Sequence, residues 1–366
     1  MTARSVPSCA TRGALQIGMA LTSSRILQLT RPGFEAAARE DLAARMQAGG
    51  MEGQAQELGA GVVAWRLDQP RSIAALAQAL PWTQLPFARE TLFEFAELPA
   101  LPQDRVSAIQ QAAQAFPSAR GIEVYAPDSD QGKALEPLTR ALGHRLQAAL
   151  SFDAAARHLW HVLLLESRHA LLGAAVPPAA APVPAGIVRL RMPREAPSRS
   201  TLKLEEALLT LLDAREREQW LKPGLRGVDL GASPGGWTWQ LVRHHVRVTA
   251  VDNGRMDPRL LDSGLVEHRR EDGFRFQPGK GNTWLVCDMV EKPSRVVDLV
   301  CHWFERGWCK IAVFNLKLPM KQRHAAWQSA QSQLAACLRQ KGAHAIRVKQ
   351  LYHDREEITV AVVPAR

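Results

Sequence analysis

The chain has 366 residues, enough for two domains that each bury a core, and 46% of the residues are hydrophobic. Lys and Arg number 46 against 36 Asp and Glu, so the formal net charge is +10, which favours a polyanionic partner. The sequence has no stretch close to the roughly 20 apolar residues that span a bilayer, and no basic amphipathic helix stands out. Nucleic acid is therefore the expected polyanion, and a membrane partner is not expected.

The cysteines are odd in number and contain no C-x-x-C pair; they are Cys9, Cys287, Cys301, Cys309 and Cys337. This usage argues against a disulfide framework and a zinc site, and it indicates a reducing, cytoplasmic location. The closest histidine pairs, His158 with His161 and His244 with His245, supply no metal triad. We therefore expect no metal site.

The first half of the chain reads as a tail followed by a mixed α+β domain. Residues 1–24 are expected to be a disordered tail, with Met19 as an alternative start, because they lack the continuous apolar core of a secretory signal. The domain is placed at 25–175, where short strands alternate with helices. Its predicted strands are 25–29, 61–67, 91–98, 121–127 and 159–166, and its predicted helices are 34–46, 71–80, 105–116 and 133–150.

The second half follows a Pro/Ala-rich segment, which we interpret as part of a linker over 176–195. From 196 to 366 strand and helix segments alternate, which is typical of a doubly wound, mostly parallel Rossmann-like sheet. The ligand of such a sheet lies beyond the carboxyl ends of the strands. The predicted strands are 226–232, 247–252, 284–289, 310–317, 345–351 and 356–363, and the main predicted helices are 201–214, 236–245, 296–307 and 322–341.

A glycine-rich loop, Asp229–Gly236, follows a predicted strand and opens a helix. Asp252 ends the next strand about 20 residues later, where an acid binds ribose hydroxyls. A nicotinamide cofactor is the rival interpretation, but Ser233 and Pro234 interrupt the G-x-G-x-x-G spacing, and a proline removes one N–H from a pyrophosphate site. S-adenosylmethionine carries no phosphate, so its binding does not require that N–H group. Asp272 is a candidate acceptor for an adenine amino group, or a solvated turn acid.

Five ordered motifs resemble those of the FtsJ-like ribose 2′-O-methyltransferases: PSRSTLKLEEA (197–207), DLGASPGGW (229–237), CDM (287–289), FNLKLP (314–319) and EEITVAV (356–362). The runs REDGF, VCDMVEKP and QLYHDREE are similar to a bacterial subfamily that acts on large-subunit rRNA. The resemblance is dense over 196–366 and looser before it. It implies S-adenosyl-L-methionine as cofactor, a cytidine of 23S rRNA as target and an N-terminal RNA-binding THUMP region.

Carried over by motif, the family's Lys-Asp-Lys-Glu tetrad falls on Lys203, Asp288, Lys317 and Glu357. Glu357 is chosen over the adjacent Glu356 because it directly precedes the alternating strand. The positions that match cofactor contacts in the relatives are Ser200, Ser233, Pro234, Gly235, Gly236, Asp252, Asp272 and Asp288.

The chemistry explains why such a tetrad is needed. A ribose hydroxyl is a poor nucleophile at neutral pH, so methyl transfer needs in-line alignment and help with one proton. Lysine titrates near ~10.4, and burial or a second ammonium group lowers that pKa. We expect Lys317 to be the base or polarising group and Lys203 to lower its pKa. Asp288 and Glu357 would orient the two lysines.

Each of these residues also has a structural interpretation. Lys203 alone would be a solvated helix residue that pairs with Glu206, and Glu357 would be a cross-strand charge partner. A 5-methylcytosine enzyme needs a cysteine nucleophile, but Cys287 lies on an apolar strand where core packing is the better explanation. Amino-group methylases carry a D-P-P-Y motif, where this chain has DMVE (288–291).

The candidate phosphate contacts are basic residues near the expected site, which a solvated basic face would also explain: Arg191, Arg194, Arg199, Lys292, Arg295, Lys321 and Arg323. The expected partner is protein-free 23S rRNA or an early precursor, and a monomer is favoured over an oligomer. Two other functions stay open. One is a non-catalytic RNA-binding assembly factor on the same fold, and the other is a methyltransferase with another acceptor, such as a base nitrogen.

Overall fold

Two seven-stranded sheets follow one another along the chain in the structure, a computed structural model that describes residues 21–114 and 116–365. Most of the expected tail, including Cys9 and Met19, lies outside the described residues. The first strand begins at Thr22 rather than at the predicted Arg25. Within the described residues, no helix is both long and apolar enough to cross a membrane.

The first sheet is mostly antiparallel and packs against four helices. Its strands are β1 (Thr22–Thr30), β2 (Gly53–Gly59), β3 (Val62–Ser72), β4 (Ala88–Leu98), β5 (Ile122–Tyr125), β6 (Leu159–Glu166) and β7 (His169–Ala175). Their order in space is β2-β3-β1-β4-β7-β6-β5, and only β5 and β6 pair in parallel. The helices are α1 (Glu35–Ala48), α2 (Ile73–Ala79), α3 (Arg105–Ala113) and α4 (Asp130–Ala149), and all four contribute to one apolar core.

Two strands of this sheet were not predicted, for different reasons. The edge strand β2 has the sequence GQAQELG and has no fully buried residue, so it lacks the apolar alternation that marks a strand. The strand β7 is buried but rich in Ala and Gly, which have low β-propensity. It is formed because it pairs with β6 across a tight hairpin.

The second sheet is the predicted doubly wound, Rossmann-like sheet. Its strands are β8 (Arg226–Leu230), β9 (Arg247–Val251), β10 (Val266–Arg269), β11 (Trp284–Cys287), β12 (Ile311–Lys317), β13 (His344–Lys349) and β14 (Glu357–Pro364). The order is β10-β9-β8-β11-β12-β14-β13, with β14 antiparallel to both neighbours and the other pairs parallel. The helices are α5 (Thr201–Thr210), α6 (Ala214–Trp220), α7 (Gly236–Arg243), α8 (Pro258–Asp262), α9 (Pro293–Glu305) and α10 (Arg323–Leu338).

The order of these strands creates a crevice between β8 and β11. From β8 the chain runs outward to β9 and β10, and it then returns to form β11 and β12 on the other side. A ligand binds at such a reversal, beyond the carboxyl ends of the strands. The glycine-rich loop follows β8 and Asp288 follows β11, so both lie at this crevice.

Most of the tryptophans lie in the interior of the protein. Seven of the ten are buried, and the parallel strand β11 is buried on both faces, which is typical of a central strand covered by helices. The buried tryptophans are Trp65, Trp82, Trp160, Trp237, Trp284, Trp303 and Trp327.

The strand β13 joins the second sheet to the first. Lys349, which is fully buried, donates from Nζ to the carbonyl oxygens of Leu85 at 3.0 Å and Ala88 at 2.5 Å. The same Nζ lies 3.9 Å from the centre of the Trp82 ring, and the backbone N–H of Gln350 donates to the carbonyl of Pro86. These contacts hold the segment that follows β13 against the first sheet. That segment leads directly into the candidate site.

Candidate active site

Four side chains meet at the edge of the second sheet where its parallel strands end. Asp288 directly follows β11, and Lys317 is the last residue of β12. Glu357 is the first residue of β14, which runs antiparallel to β12, so it lies at the same edge and pairs in register with Lys317. Residues directly opposite in an antiparallel pair project to the same face. Lys203 reaches this edge from the first turn of α5.

Lys203 lies between the two carboxylates and contacts both. Its Nζ lies 2.6 Å from Glu357 Oε1, and 3.2 and 3.3 Å from the two carboxylate oxygens of Asp288. The three side chains are only 13–21% exposed, so solvent screens the contacts weakly. The ammonium group of Lys203 therefore connects α5 to Asp288 after β11 and to Glu357 at the start of β14.

The pKa values of this cluster follow from burial and from the position of Lys203. Burial alone would lower the pKa of Lys203, but the Asp288 and Glu357 carboxylates outweigh it and raise the value. Burial raises the pKa of Asp288, and the attraction of Lys203 offsets this only in part. For Glu357 burial acts in the same direction, but the shorter contact with Lys203 outweighs it and lowers the pKa. Lys203 is thus held as an ammonium ion.

Lys317 lies in a different environment from Lys203. Its side chain is exposed, and it lines the same 1130 Å³ cavity as Lys203, Asp288 and Glu357. The structure therefore places all four tetrad residues around one space. The expectation that Lys203 lowers the pKa of Lys317 stays a prediction.

Two neighbouring glutamates have other partners. Glu206 does not pair with Lys203, so the solvated-helix interpretation of that lysine is wrong. The Glu206 carboxylate accepts the backbone N–H groups of Tyr352 at 2.8 Å and His353 at 2.9 Å. Glu356 forms an ion pair with Arg323, so Glu357 is the glutamate that reaches the cluster.

A set of polar side chains that the sequence did not indicate lies behind Asp288; we call Asn315, Thr359 and Asp354 the buried polar chain. The amide Nδ2 of Asn315 donates to Asp288 Oδ1 at 2.7 Å. Thr359 Oγ1 lies 2.7 Å from Asn315 Oδ1 and 3.0 and 3.2 Å from the two oxygens of Asp354. Strand alternation offered one signal, because Asn315 lies two residues before Lys317 on the same face of β12.

A smaller cavity of 380 Å³ lies beside the glycine-rich loop. Asp252, Asp272 and Asp288 line it, together with Gly231 at the end of β8. Asp252 is fixed there because its carboxylate accepts the backbone N–H groups of Ser233 at 3.1 Å and Gly254 at 2.6 Å. Five of the described lining residues are acidic and none is Lys or Arg; the acids are Asp252, Glu271, Asp272, Asp288 and Glu291.

The other residues expected to contact a cofactor are not among the described lining residues of this cavity, and most of them are engaged by the protein itself. The Ser233 hydroxyl donates to the carbonyl of Arg255 at 2.8 Å. Gly235 has φ +118°, and a Cβ there would lie 2.2 Å from the side chain of Leu260. A Cβ on Gly236 would lie 2.2 Å from Ser200 Oγ. The glycines therefore allow the loop to pack on its neighbours. Pro234 lies within the same turn, and Ser200 lines the larger cavity.

The candidate phosphate contacts divide into free and engaged groups. The prediction of a solvated phosphate contact is wrong for Arg323. Its guanidinium lies 4.0 Å over the Phe34 ring and pairs with Glu356, and its side chain is only 10% exposed. Arg295 lies over Phe274 and pairs with Glu291. The remaining candidates are exposed: Arg191, Arg194, Arg199, Lys292 and Lys321.

The cysteine next to the site is part of the core. Cys287 is completely buried at the end of β11, and burial raises its pKa to about 12. A thiol in that state is a poor nucleophile, which disfavours the cysteine mechanism of base methylation.

Among residues 21–114 and 116–365, no group of three His, Cys, Asp or Glu side chains is arranged to hold a metal ion.

The model of the family "FtsJ-like methyltransferase" matches residues 196–340, which contain the glycine-rich loop and most of the Rossmann-like sheet. The second half of the chain is therefore a methyltransferase domain of the FtsJ-like type. Similarity to named relatives extends over nearly the whole chain. "Ribosomal RNA large subunit methyltransferase M" from Stenotrophomonas maltophilia (strain R551-3) is 45% identical, over 94% of this chain and 98% of its own. The protein of that name from Xanthomonas campestris pv. campestris is 46% identical, over 92% and 98%. The chain belongs to this methyltransferase M family.

Proposed function

We propose that the chain transfers a methyl group from S-adenosylmethionine to the ribose 2′-hydroxyl of a cytidine in 23S rRNA. The names of its relatives supply the class of reaction and of substrate. The observation that carries the proposal is the junction of two cavities. The acidic cavity beside the glycine-rich loop and the larger cavity that contains the tetrad share the segment 288–290 as a common wall.

The acidic cavity suits S-adenosylmethionine better than a nicotinamide dinucleotide. Five carboxylates with no described basic residue among the lining would repel a pyrophosphate, and they favour a sulfonium and an amino group. Asp252 lies at the end of β9, where it would accept ribose hydroxyls. Asp272 is half exposed and would accept the adenine amino group. When bound, the cofactor would supply an electrophilic methyl carbon.

The larger cavity would hold the target ribose. In the proposed step the 2′-oxygen forms a bond to the methyl carbon as the bond from sulfur to that carbon breaks. Its proton passes to an uncharged Lys317 amine, which first holds the hydroxyl through a hydrogen bond. Lys203 cannot accept this proton, because its two carboxylates keep it charged. We therefore assign Lys203 to holding Asp288 and Glu357 in position and Lys317 to the hydroxyl.

Both sheets contribute to the wall of the larger cavity, which supports a role for the first half in RNA binding. Arg31 and Lys133 come from the first half, and Arg199 and Arg355 come from the second. We propose a THUMP-type RNA-binding domain over 25–175, a linker over 176–195 and a catalytic domain over 196–366. Cationic groups on both sides of a cleft would contact the phosphates that flank a target nucleotide.

The test is to incubate the purified chain with labelled S-adenosylmethionine and protein-free 23S rRNA, and then to identify the modified nucleoside by mass spectrometry. We expect 2′-O-methylcytidine. A methyl group on a base would show that the acceptor is wrong. If only assembled particles are methylated, the proposed naked RNA substrate is wrong. No transfer to either substrate, with RNA binding intact, would favour the assembly factor.

A further inference from the structure

The directions of the hydrogen bonds in the buried polar chain depend on the single proton of the Thr359 hydroxyl. The Thr359 hydroxyl has one proton, but three acceptor oxygens lie within hydrogen-bond distance of it: Asn315 Oδ1 at 2.7 Å and the two oxygens of Asp354 at 3.0 and 3.2 Å. One proton serves only one of these acceptors well. If it serves Asn315, then Thr359 presents only lone pairs to Asp354. An ionised Asp354 would then place oxygen against oxygen in the core.

The direction at Asn315 is set by Asp288. The Asn315 Nδ2 group donates to a carboxylate that also binds Lys203. Turning the amide over would put the Asn315 Oδ1 atom 2.7 Å from an Asp288 oxygen, so two acceptors would face each other. It would also remove a donor from a partly buried carboxylate, which is unfavourable. The Asn315 oxygen therefore faces Thr359, and the Thr359 proton points to it.

We propose that Asp354 is a positioning residue that carries a proton, so that hydrogen bonds run in one direction from Asp354 through Thr359 and Asn315 to Asp288. In this arrangement Asp354 Oδ1 donates to Thr359, and Asp354 Oδ2 accepts the backbone N–H of Leu351, which lies 3.0 Å away. Each polar atom of the chain then has a complementary partner. The proposal rests on the proposed function, because it gives Asp288 its role there.

The groups that face Asp354 agree with a neutral side chain. Burial raises its pKa well above the ordinary value, and the negative charge of Glu357 on β14 acts in the same direction; the Leu351 N–H and the Lys203 charge oppose this without reversing it. Arg31 does not neutralise the carboxylate, because it donates to the backbone carbonyl of Asp354 at 2.7 Å. With Asp354 neutral, two lysines of the tetrad face two carboxylates.

Three substitutions separate this role from a simple packing role. Asp354→Asn reproduces the protonated acid, because its amide donates to Thr359 and its oxygen accepts from Leu351; we expect kcat within about threefold of wild type. Thr359→Val keeps the side-chain shape but removes the hydroxyl that connects Asp354 to Asn315, and Asp354→Ala removes the carboxyl group at the end of the buried polar chain. Each should lower kcat by about tenfold or more with little change in cofactor affinity, since a lost buried hydrogen bond is of that size. If Asp354→Asn is as inactive as Asp354→Ala, the side chain works as an anion and the proposal is overturned.

A second measurement does not depend on activity. Infrared difference spectra of wild type against Asp354→Asn at neutral pH should show the loss of one carbonyl band of a protonated carboxylic acid. Asp262→Asn is the matched control, because Asp262 is exposed and should show only the loss of carboxylate bands. Loss of carboxylate bands in Asp354→Asn would overturn the proposal. If the acid band is found but no rRNA is methylated by wild type, the proposed function fails while the protonation of Asp354 stands.

Discussion

The same substitution should affect different properties at the two lysines of the cluster: stability at Lys203 and turnover at Lys317. Lys203→Met keeps most of the side-chain length but leaves Asp288 and Glu357 together without their shared cation. Removing one partner of a buried ion pair destabilises a protein by about 3–5 kcal/mol. Because these side chains are 13–21% exposed, solvent recovers part of that loss, and we expect the free energy of unfolding to fall by about 2–3 kcal/mol at pH 7.

Lys317→Met is the matched substitution at an exposed site. It removes a charge that the structure leaves in the open cavity, so the free energy of unfolding should change by no more than about 0.5 kcal/mol. Its effect should appear in turnover. Loss of a general base or polarising group lowers kcat by about 10²–10⁴-fold, and cofactor affinity should stay within a few-fold because Lys317 does not line the acidic cavity.

The assay is urea unfolding followed by tryptophan fluorescence, with kcat measured on the same samples. The effect of Lys203→Met should also depend on pH. The raised pKa of Lys203 contributes stability that is lost as the pH rises through that value, and the lowered pKa of Glu357 contributes stability that is lost as the pH falls through it. The deficit should therefore be largest near neutral pH. Equal stability of Lys203→Met and wild type at pH 7 would refute the reasoning, as would full activity of Lys317→Met.

Three further outcomes are expected. Lys349→Met leaves the carbonyl oxygens of Leu85 and Ala88 without their donor and should lower the free energy of unfolding by about 1–3 kcal/mol. The control Lys310→Met, at an exposed site, should have no such effect. Equal urea midpoints for Lys349→Met and wild type would contradict the prediction. Burial raises the pKa of Glu90 to about 7, so the stability that its protonated form contributes is lost as the pH rises to about 7. Glu90→Gln should remove up to about 3 kcal/mol of that decline in the free energy of unfolding. Parallel curves of stability against pH for the variant and wild type, from pH 5 to 7.5, would argue against it. RNA affinity should fall steeply with salt, and a flat plot of log K against log salt would exclude phosphate-dominated binding.

The sequence allowed most of the second sheet to be predicted because its central strands are largely apolar runs. The edge strand β10 has the sequence VEHR and was not predicted, because it has no such run. The segment WLVC of β11 is completely buried, and a polar residue that follows such a run falls at the ligand edge. Asp288 and Lys317 could be found in this way. Lys203 could not, because an isolated lysine on a helix looks the same whether it is solvated or enclosed. Only the resemblance to a known family indicated it.

The residues that were missed or misplaced owe their environment to parts of the chain far away in sequence. Arg323 resembles a solvated cation in a basic stretch, but the Phe34 ring, nearly 300 residues earlier, covers it. Asp354 lies in a short segment between β13 and β14 with no periodic pattern around it. Its surroundings include Thr359 and also Arg31, which directly follows β1 and donates to the backbone carbonyl of Asp354. Sequence patterns report local structure, and these two environments are not local.

The position of Asp288 explains why so many groups are needed to hold one carboxylate. Asp288 forms part of the wall of both cavities, and in the proposed function it lies between the methyl donor and the target ribose. A carboxylate at such a point is partly desolvated and would move or take up a proton unless donors fix it. Lys203 supplies one donor from α5, and Asn315 supplies another from β12. Because one donor comes from a helix and the other from a strand, Asp288 keeps its place only when α5 and β12 are both packed beside β11, which ties the position of this carboxylate to the packing of the helix on the sheet.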